Sequence, residues 1–256
     1  MKEAMLNVRG ISKDFGGLKA LNNVSFEVGE REVVGLIGPN GSGKTTLFEI
    51  INGFYLPSHG SVECCGQRIT GLLPHEIARR GIGRTFQIVR LFPKLTVLEN
   101  LLVAEQHLKG ELLLHALLKL RHVEAEDRAN KEKALKLLEL VELGHKKNEL
   151  AENLSYGQQK LLEIARALAL EPRILLLDEP DAGLNPTIAR KVFNVVKELK
   201  KEGKSVLMIE HDMETVMGLC DRVVVLDFGE KIAEGTPKEI QANEKVLEAY
   251  LGKVKK

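Results

Sequence analysis

Gly38-Pro-Asn-Gly-Ser-Gly-Lys-Thr45 fits the pattern G-x-x-x-x-G-K-[ST], with a second hydroxyl following at Thr46. Glycines at 38, 41 and 43 allow the backbone to turn its N–H groups inward, an anion nest at a helix N-terminus. Pro39, Asn40 and Ser42 fill the loop between them. Lys44 has the reach for terminal phosphates, and the Thr45 hydroxyl suits one corner of an octahedral Mg²⁺ shell. The bland reading is a glycine-rich turn with a chance lysine. Context opposes it: a short β-rich run, Val33–Ile37, precedes the loop, and a helical pattern over 47–52 follows. The chemistry expected here is capture of nucleotide phosphates.

A second cluster closes the apolar run Ile174-Leu-Leu-Leu-Asp-Glu-Pro180. In an open parallel sheet, ligands gather at the carboxyl ends of strands, so Asp178 and Glu179 should emerge beside the phosphate loop. Neighbouring side chains on a strand end diverge. Asp178 is therefore free to complete a Mg²⁺ shell while Glu179 orients or deprotonates an attacking water. The plain alternative is two acids starting a surface loop. The next apolar run, Val206–Ile209, ends in Glu210-His211-Asp212, which sets His211 to contact a γ-phosphate. A lone histidine in that place is otherwise structural or solvent-facing. Nest, lysine, magnesium ligand, base and phosphate sensor together describe a nucleotide hydrolase.

The elements that must carry these groups can be read in outline. Met5–Val8, Val24–Val28 and Val33–Ile37 are β-rich, separated by turn signals at Phe15-Gly-Gly, Asn22-Asn23 and Gly29-Glu-Arg, and Gly60–Ile69 reads as a hairpin turning near Gly66. After Phe92-Pro93 the composition shifts to Leu, Glu, Lys and Ala at helical spacing, a mostly helical insertion that continues through a helix near 156–170. Buried strands then return at 174–177 and 206–209, with a helix over 187–201 between them, Pro186 at its start and Gly203 past its end. Arg222–Leu226 and Glu230–Ala233 form a further hairpin-like pair, and a short helix follows from Glu239. The expected partition is an α/β core over 1–92 and 168–240, a helical subdomain over 93–167, and a helical tail over 241–256.

Composition bounds the rest. In 256 residues, 37 Lys+Arg balance 36 Asp+Glu, so a net charge of +1 provides no field to draw in nucleic acid. Three cysteines, two of them adjacent (Cys64, Cys65), cannot form a disulfide framework and suit a reducing compartment. No run of about 18 uncharged apolar residues occurs, so no membrane-spanning helix is expected. The amphipathic stretch Leu108–Leu120 has too few basic residues to read as a membrane-surface helix.

Leu154-Ser-Tyr-Gly-Gln158, lying between the phosphate loop and Asp178, resembles the LSGGQ signature of ABC ATPases. Its physical logic is readable. Ser155 can cap the helix that follows, and Gly157 lets another molecule's phosphate approach the backbone at a helix N-terminus; in isolation a plain serine cap explains it as well. Phe15-Gly-Gly-Leu, Arg84-Thr-Phe-Gln, Thr96-Val-Leu-Glu-Asn, Ala182-Gly-Leu-Asn-Pro186, Ile209-Glu-His-Asp-Met and Tyr250-Leu-Gly are similar to stretches of the LivG-type ATP-binding subunits of branched-chain amino acid importers.

That resemblance, which covers nearly the whole chain, implies the fold: a P-loop NTPase core with a mixed, mainly parallel sheet, an N-terminal antiparallel β subdomain and an inserted helical subdomain. It implies ATP as substrate, Mg²⁺ as cofactor, and adenine on Phe15, which would otherwise be read as a core residue. Gln87 is then the glutamine that joins core to helical subdomain and touches Mg²⁺ or water, His211 the switch histidine, and Asn185 part of the D-loop. It implies that Leu154–Gln158 act on the ATP of an opposing subunit, in a head-to-tail dimer closed by ATP. The partners implied are a second ATP-binding subunit, membrane-embedded permease subunits and, indirectly, an external solute-binding protein, which place the chain peripherally on the cytoplasmic face of a membrane. Two departures stand out: Tyr156 replaces the first glycine of the signature pair, and Asn185 stands where many ABC proteins carry aspartate.

The alternative is a non-transport ABC ATPase of DNA repair or the ribosome. Repair members need long coiled coils that the 44-to-155 interval cannot hold, and ribosomal members usually carry two cassettes. A P-loop kinase or GTPase leaves Leu154–Gln158 unexplained and would need an N-K-x-D motif that is absent. Intact Lys44, Asp178, Glu179 and His211 argue against a nucleotide-binding regulator with vestigial activity.

Overall fold

Alternating apolar and polar residues run along β1 (Ala4–Phe15) and β2 (Leu18–Gly29), which pair antiparallel across a turn at Gly16-Gly17. The structure is a computed structural model that describes residues 4–85, 89–104 and 121–251. Asn22-Asn23 does not end a strand as expected. β2 runs through it with a register shift, Asn23 taking φ 53° while its N–H donates to the Ser12 hydroxyl at 2.9 Å. The two asparagines therefore absorb a bulge in one long strand. β4 (His59–Cys64) and β5 (Gln67–Arg68) complete a four-stranded antiparallel sheet of order β2-β1-β4-β5.

β3 (Val33–Ile37), β7 (Ile174–Asp178) and β8 (Ser205–Ile209) are buried along their whole length. Such strands read as unbroken apolar runs because both faces of a parallel sheet are covered. With β6 (Ile82–Arg84), β9 (Arg222–Asp227) and β10 (Glu230–Gly235) they form a six-stranded sheet of order β10-β9-β3-β8-β7-β6, parallel except where β10 meets β9. Helix α1 (Lys44–Ile51) buries Leu47, Phe48 and Ile51 in one apolar cluster with Leu6, Val8 and Phe26 of the antiparallel sheet and Leu36, Ile209 and Leu226 of the parallel one. Burying each such side chain contributes about 1.5–3 kcal/mol. The phosphate loop thus springs from a strand buried along its whole length.

The chain divides into two units, 1–87 with 172–182 and 196–256, and 88–171 with 183–195. The first holds both sheets, α1, α2 (Pro74–Arg79) and, after β8, α7 (Met213–Leu219), α8 (Pro237–Gln241) and α9 (Glu244–Leu251). The second is helical: α3 (Val97–Leu102), α4 (Arg121–Leu140), α5 (Tyr156–Ala169) and the first residues of α6 (Pro186–Lys201). Its interior is Val97, Leu101, Ala134, Leu138, Leu161, Leu162 and Leu168, all buried. Asn100 is sealed within it, donating to the carbonyls of Phe92 (3.1 Å) and Thr96 (3.0 Å) and accepting from the Phe92 N–H (2.9 Å). Leu108–Leu120 lies outside the described residues.

Candidate functional site

The loop after β3 can exist only with glycine at two of its positions. Gly43 caps α1 with φ 101°, and a Cβ there would stand 2.7 Å from the Ala20 carbonyl oxygen. At Gly38, with φ 151°, it would stand 2.1 Å from the Leu226 carbonyl oxygen. At those two positions the loop is wedged against its neighbours with no room for a side chain, while the Ser42 N–H closes a turn onto the Pro39 carbonyl at 3.2 Å.

Lys44 is buried and folds back to donate to the carbonyls of Gly38 (2.8 Å) and Pro39 (3.1 Å). Burial holds its ammonium below the ordinary lysine range, while Glu179 and Asp178 pull it back up. The Ser42 hydroxyl is buried without a hydrogen-bond partner among the described residues. Pro39 contributes a carbonyl and no N–H to the loop. An anion in the nest would satisfy the loop N–H groups and draw the Lys44 ammonium from those carbonyls, exchanging a neutral acceptor for a charged one.

Asn40, Gly41, Ser42, Gly43, Lys44, Thr45 and Thr46 line a cavity of about 600 Å³ together with Phe15, Glu179 and Phe228. One end is aromatic: Phe15 is 40% exposed and meets Tyr55 edge-to-face at 5.3 Å, with the Lys13 ammonium 4.8 Å above the Phe15 ring. That end offers a flat apolar surface for a base, and the nest offers the other end for phosphates.

Asp178 is buried at the end of β7. Burial pushes its carboxyl above the ordinary aspartate range, Arg84 pulls it down, and Glu179 and Glu49 push it up again. Arg84 reaches Asp178 at 3.4 Å but holds Glu49 more closely, at 2.7 Å. A buried carboxylate with so long a charge contact is poised for a better cation. With the hydroxyl of exposed Thr45 it would offer hard oxygens of the kind that suit Mg²⁺ sharing its shell with phosphates and water.

Glu179 follows in the left-handed region, φ 45°, its N–H bonded to the Ile209 carbonyl at 3.1 Å. A non-glycine residue held there stores of order 1–3 kcal/mol and is a mark of a positioned side chain. His211 is exposed at the end of β8, its N–H donating to Glu210 Oε2 at 3.3 Å. Gln87 lies outside the described residues.

Leu154–Gln158 and Asn185 belong to the second unit. Leu154 is buried and anchors the segment. Ser155 caps α5 in a reciprocal pair: its hydroxyl accepts from the Gln158 N–H (3.4 Å), and Gln158 Oε1 accepts from the Ser155 N–H (3.0 Å). A Cβ on Gly157 would lie 3.0 Å from Ile188, so the glycine also serves the packing of α5 on α6. Tyr156 is about half exposed, and Asn185 caps α6 by accepting from the Ile188 N–H at 3.0 Å.

Sequence reasoning missed the roles of Arg84 and Glu49 around Asp178, of Tyr55, which packs on Phe15, and of Phe228, which lines the cavity with it. Phe228 left a trace in the sequence, an aromatic residue inside a polar hairpin turn. Arg84 stood in the string Arg84-Thr-Phe-Gln but with no role marked, and Glu49 and Tyr55 gave no trace.

The ABC transporter family model matches residues 21–182, and the model described as branched-chain amino acid ATP-binding cassette transporter matches residues 230–256. The chain is 46% identical over 253 residues to the high-affinity branched-chain amino acid transport ATP-binding protein LivG of Salmonella typhimurium, covering 98% of this chain and 99% of that protein. Among solved structures it is similar to a nucleotide-free ATP-binding cassette from an ABC transporter, with TM-score 0.84, 40% identity and coverage of 98% and 100%. It is also similar to a dimeric ATP-binding cassette in a post-hydrolysis state bound to ADP and phosphate, with TM-score 0.74, 32% identity and coverage of 91% and 99%.

Proposed function

Because the chain belongs to the ABC transporter family, we propose that it is the ATP-hydrolysing subunit that powers uptake of branched-chain amino acids. ATP binding and its hydrolysis to ADP and phosphate are the family's activity. The substrate class rests on one observation, the near-complete likeness to a branched-chain amino acid transport subunit, which extends into residues 230–256.

Adenine lies on Phe15, and the 38–46 loop grips the phosphates through its N–H groups and Lys44. Thr45 and Asp178 would hold Mg²⁺, which when bound neutralises charge on the β- and γ-phosphates. Glu179 orients the attacking water and takes its proton. His211 and Gln87 complete the γ-phosphate surroundings. The Ser155 hydroxyl and the Gly157 N–H serve the γ-phosphate of an opposing subunit, so each reaction chamber needs two chains. ATP then favours the closed pair, and loss of the γ-phosphate reopens it, because only differential affinity for the two states can drive such a motion.

The partners in this reading are a second ATP-binding subunit, identical or related, and membrane-embedded permease subunits, with the chain peripheral on the cytoplasmic face. Among the described residues no helix is long and apolar enough to cross a membrane. Purification from native membranes tests the assignment. Expected is co-purification of hydrophobic permease chains, and ATP-dependent uptake of leucine, isoleucine or valine by the reconstituted complex. Recovery with ribosomes or DNA, or uptake indifferent to those amino acids, would overturn it.

A further inference from the structure

Glu210 is fully buried between the end of β8 and His211, and the mechanism above leaves it unused. No donor among the described residues reaches its Oε1, which is sealed from solvent. Its carboxyl group lies within hydrogen-bonding reach of the Asp181 carboxyl, on the loop after β7. Neither Glu210 nor Asp181 forms an ion pair among the described residues.

Two carboxylates in contact, one wholly buried, with no cation beside them, cannot both be ionised; one proton must be shared. Asp181 is the better acceptor. Its Oδ2 is 3.0 Å from the Thr215 hydroxyl, whose proton it shares with Asp212 Oδ2 at 2.8 Å. Asp181 is only partly buried whereas Glu210 is wholly buried, so a charge costs less on Asp181. The proton therefore resides on Glu210, where it turns a buried acceptor with no donor into a donor with an acceptor.

The pair spans two short loops that matter. Glu179 lies two residues before Asp181 with its backbone in the left-handed region, a conformation that persists only where the surroundings over-determine it. Its N–H is tied to Ile209, next to Glu210, and its carbonyl accepts from the Ala182 N–H at 3.2 Å. His211 donates its own N–H to Glu210. We propose that Glu210, carrying a proton and donating it to Asp181, is a positioning residue that clasps the loop of Glu179 to the loop of His211. This rests on Glu179 and His211 being the water-activating and γ-phosphate-contacting groups.

The other groups facing Glu210 agree in sign. Glu179 and Asp181 from the loop after β7 both oppose its ionisation, with burial the larger cause, while the His211 N–H favours it; together they push the carboxyl up to about 9. The Cys220 thiol after α7 is itself pushed up to about 12, by burial first and then by Glu210 and Asp221. The native state thus keeps a proton that the unfolded chain releases near pH 4.5, so this group's contribution to stability falls as pH rises from about 4.5 to about 9.

The test uses the whole chain with Glu210→Gln, whose amide still donates, and Glu210→Ala, which does not. At neutral pH and without ATP, infrared spectroscopy should show the carbonyl band of a protonated carboxylic acid that is missing in both variants and disappears as pH passes about 9. Wild-type turnover should fall roughly tenfold between about pH 8 and about pH 10, as such a group ionises. Glu210→Gln should keep neutral-pH turnover and lose that fall, while Glu210→Ala should turn over slowly throughout. In Asp181→Asn the band should disappear at a lower pH, because the opposing charge is gone. Absence of the band from the wild type, or an unchanged alkaline fall in Glu210→Gln, would overturn the proposal. A titrating band alongside full turnover by Glu179→Gln would instead sink the role of Glu179 and leave the shared proton standing.

Discussion

At the scale of single residues, the phosphate loop sets charge against burial. Lys44 is held inside by two carbonyls although burial penalises its ammonium, so the empty loop gains little from the lysine. Its role is realised when a phosphate arrives, where an ammonium–phosphate contact exceeds what neutral carbonyls offer. Lys44→Ala should therefore leave the melting temperature of the free protein within a few degrees. The variant should no longer be stabilised by ATP, whereas the wild type should gain about 2.7 kcal/mol at a hundredfold excess over its dissociation constant. Thermal shift with and without ATP measures both. An ATP-dependent shift equal to that of the wild type would remove Lys44 from the phosphate site.

At the scale of elements, one helix start carries two duties. Ser155 caps α5, which is worth about 1 kcal/mol, and in the proposed dimer its hydroxyl also meets a phosphate. Substitution separates the two. Ser155→Ala should lose the cap and lower stability by about 1 kcal/mol. Ser155→Asp should restore the cap while placing a carboxylate against the incoming phosphate, so stability returns and turnover does not. Denaturant melts read the first effect and phosphate release the second. Recovery of turnover along with stability would leave Ser155 a cap and nothing more. Gly157 sits under a similar double demand, since Ile188 packs where its side chain would be.

At the scale of the whole molecule, the proposed mechanism divides the chemistry between chains. The cavity holding Phe15, the phosphate loop and Glu179 lies within the first unit, while Leu154–Gln158 belong to the second. Glu179→Gln should bind ATP, fail to hydrolyse it and run as a dimer on size exclusion in ATP and as a monomer without it. For the wild type, turnover per chain should rise with protein concentration until dimers dominate. Undiminished turnover at dilutions where only monomers exist would refute the shared chamber.

What the sequence determined by itself was whatever local backbone chemistry dictates. The glycines of 38–45, the apolar runs at 174–177 and 206–209 and the acids that follow them are contiguous, and contiguous residues share a strand, a turn or a helix start whatever the rest of the chain does. The serine cap of α5 was legible for the same reason. Tertiary structure decided the rest. Arg84 meets Asp178 across 94 positions, and the rings of Tyr55, in the loop after α1, and Phe15, at the end of β1, meet edge-to-face. Asn22-Asn23 became a bulge because β1 offers a long partner through that point. Glu210 and Asp181, ordinary acids in a string of letters, are brought together because two parallel strands end side by side, and there Glu210 is sealed from solvent. Propensity and spacing report what a residue's near neighbours along the chain require. The cost of a buried charge depends on neighbours in space, and only the folded chain supplies those.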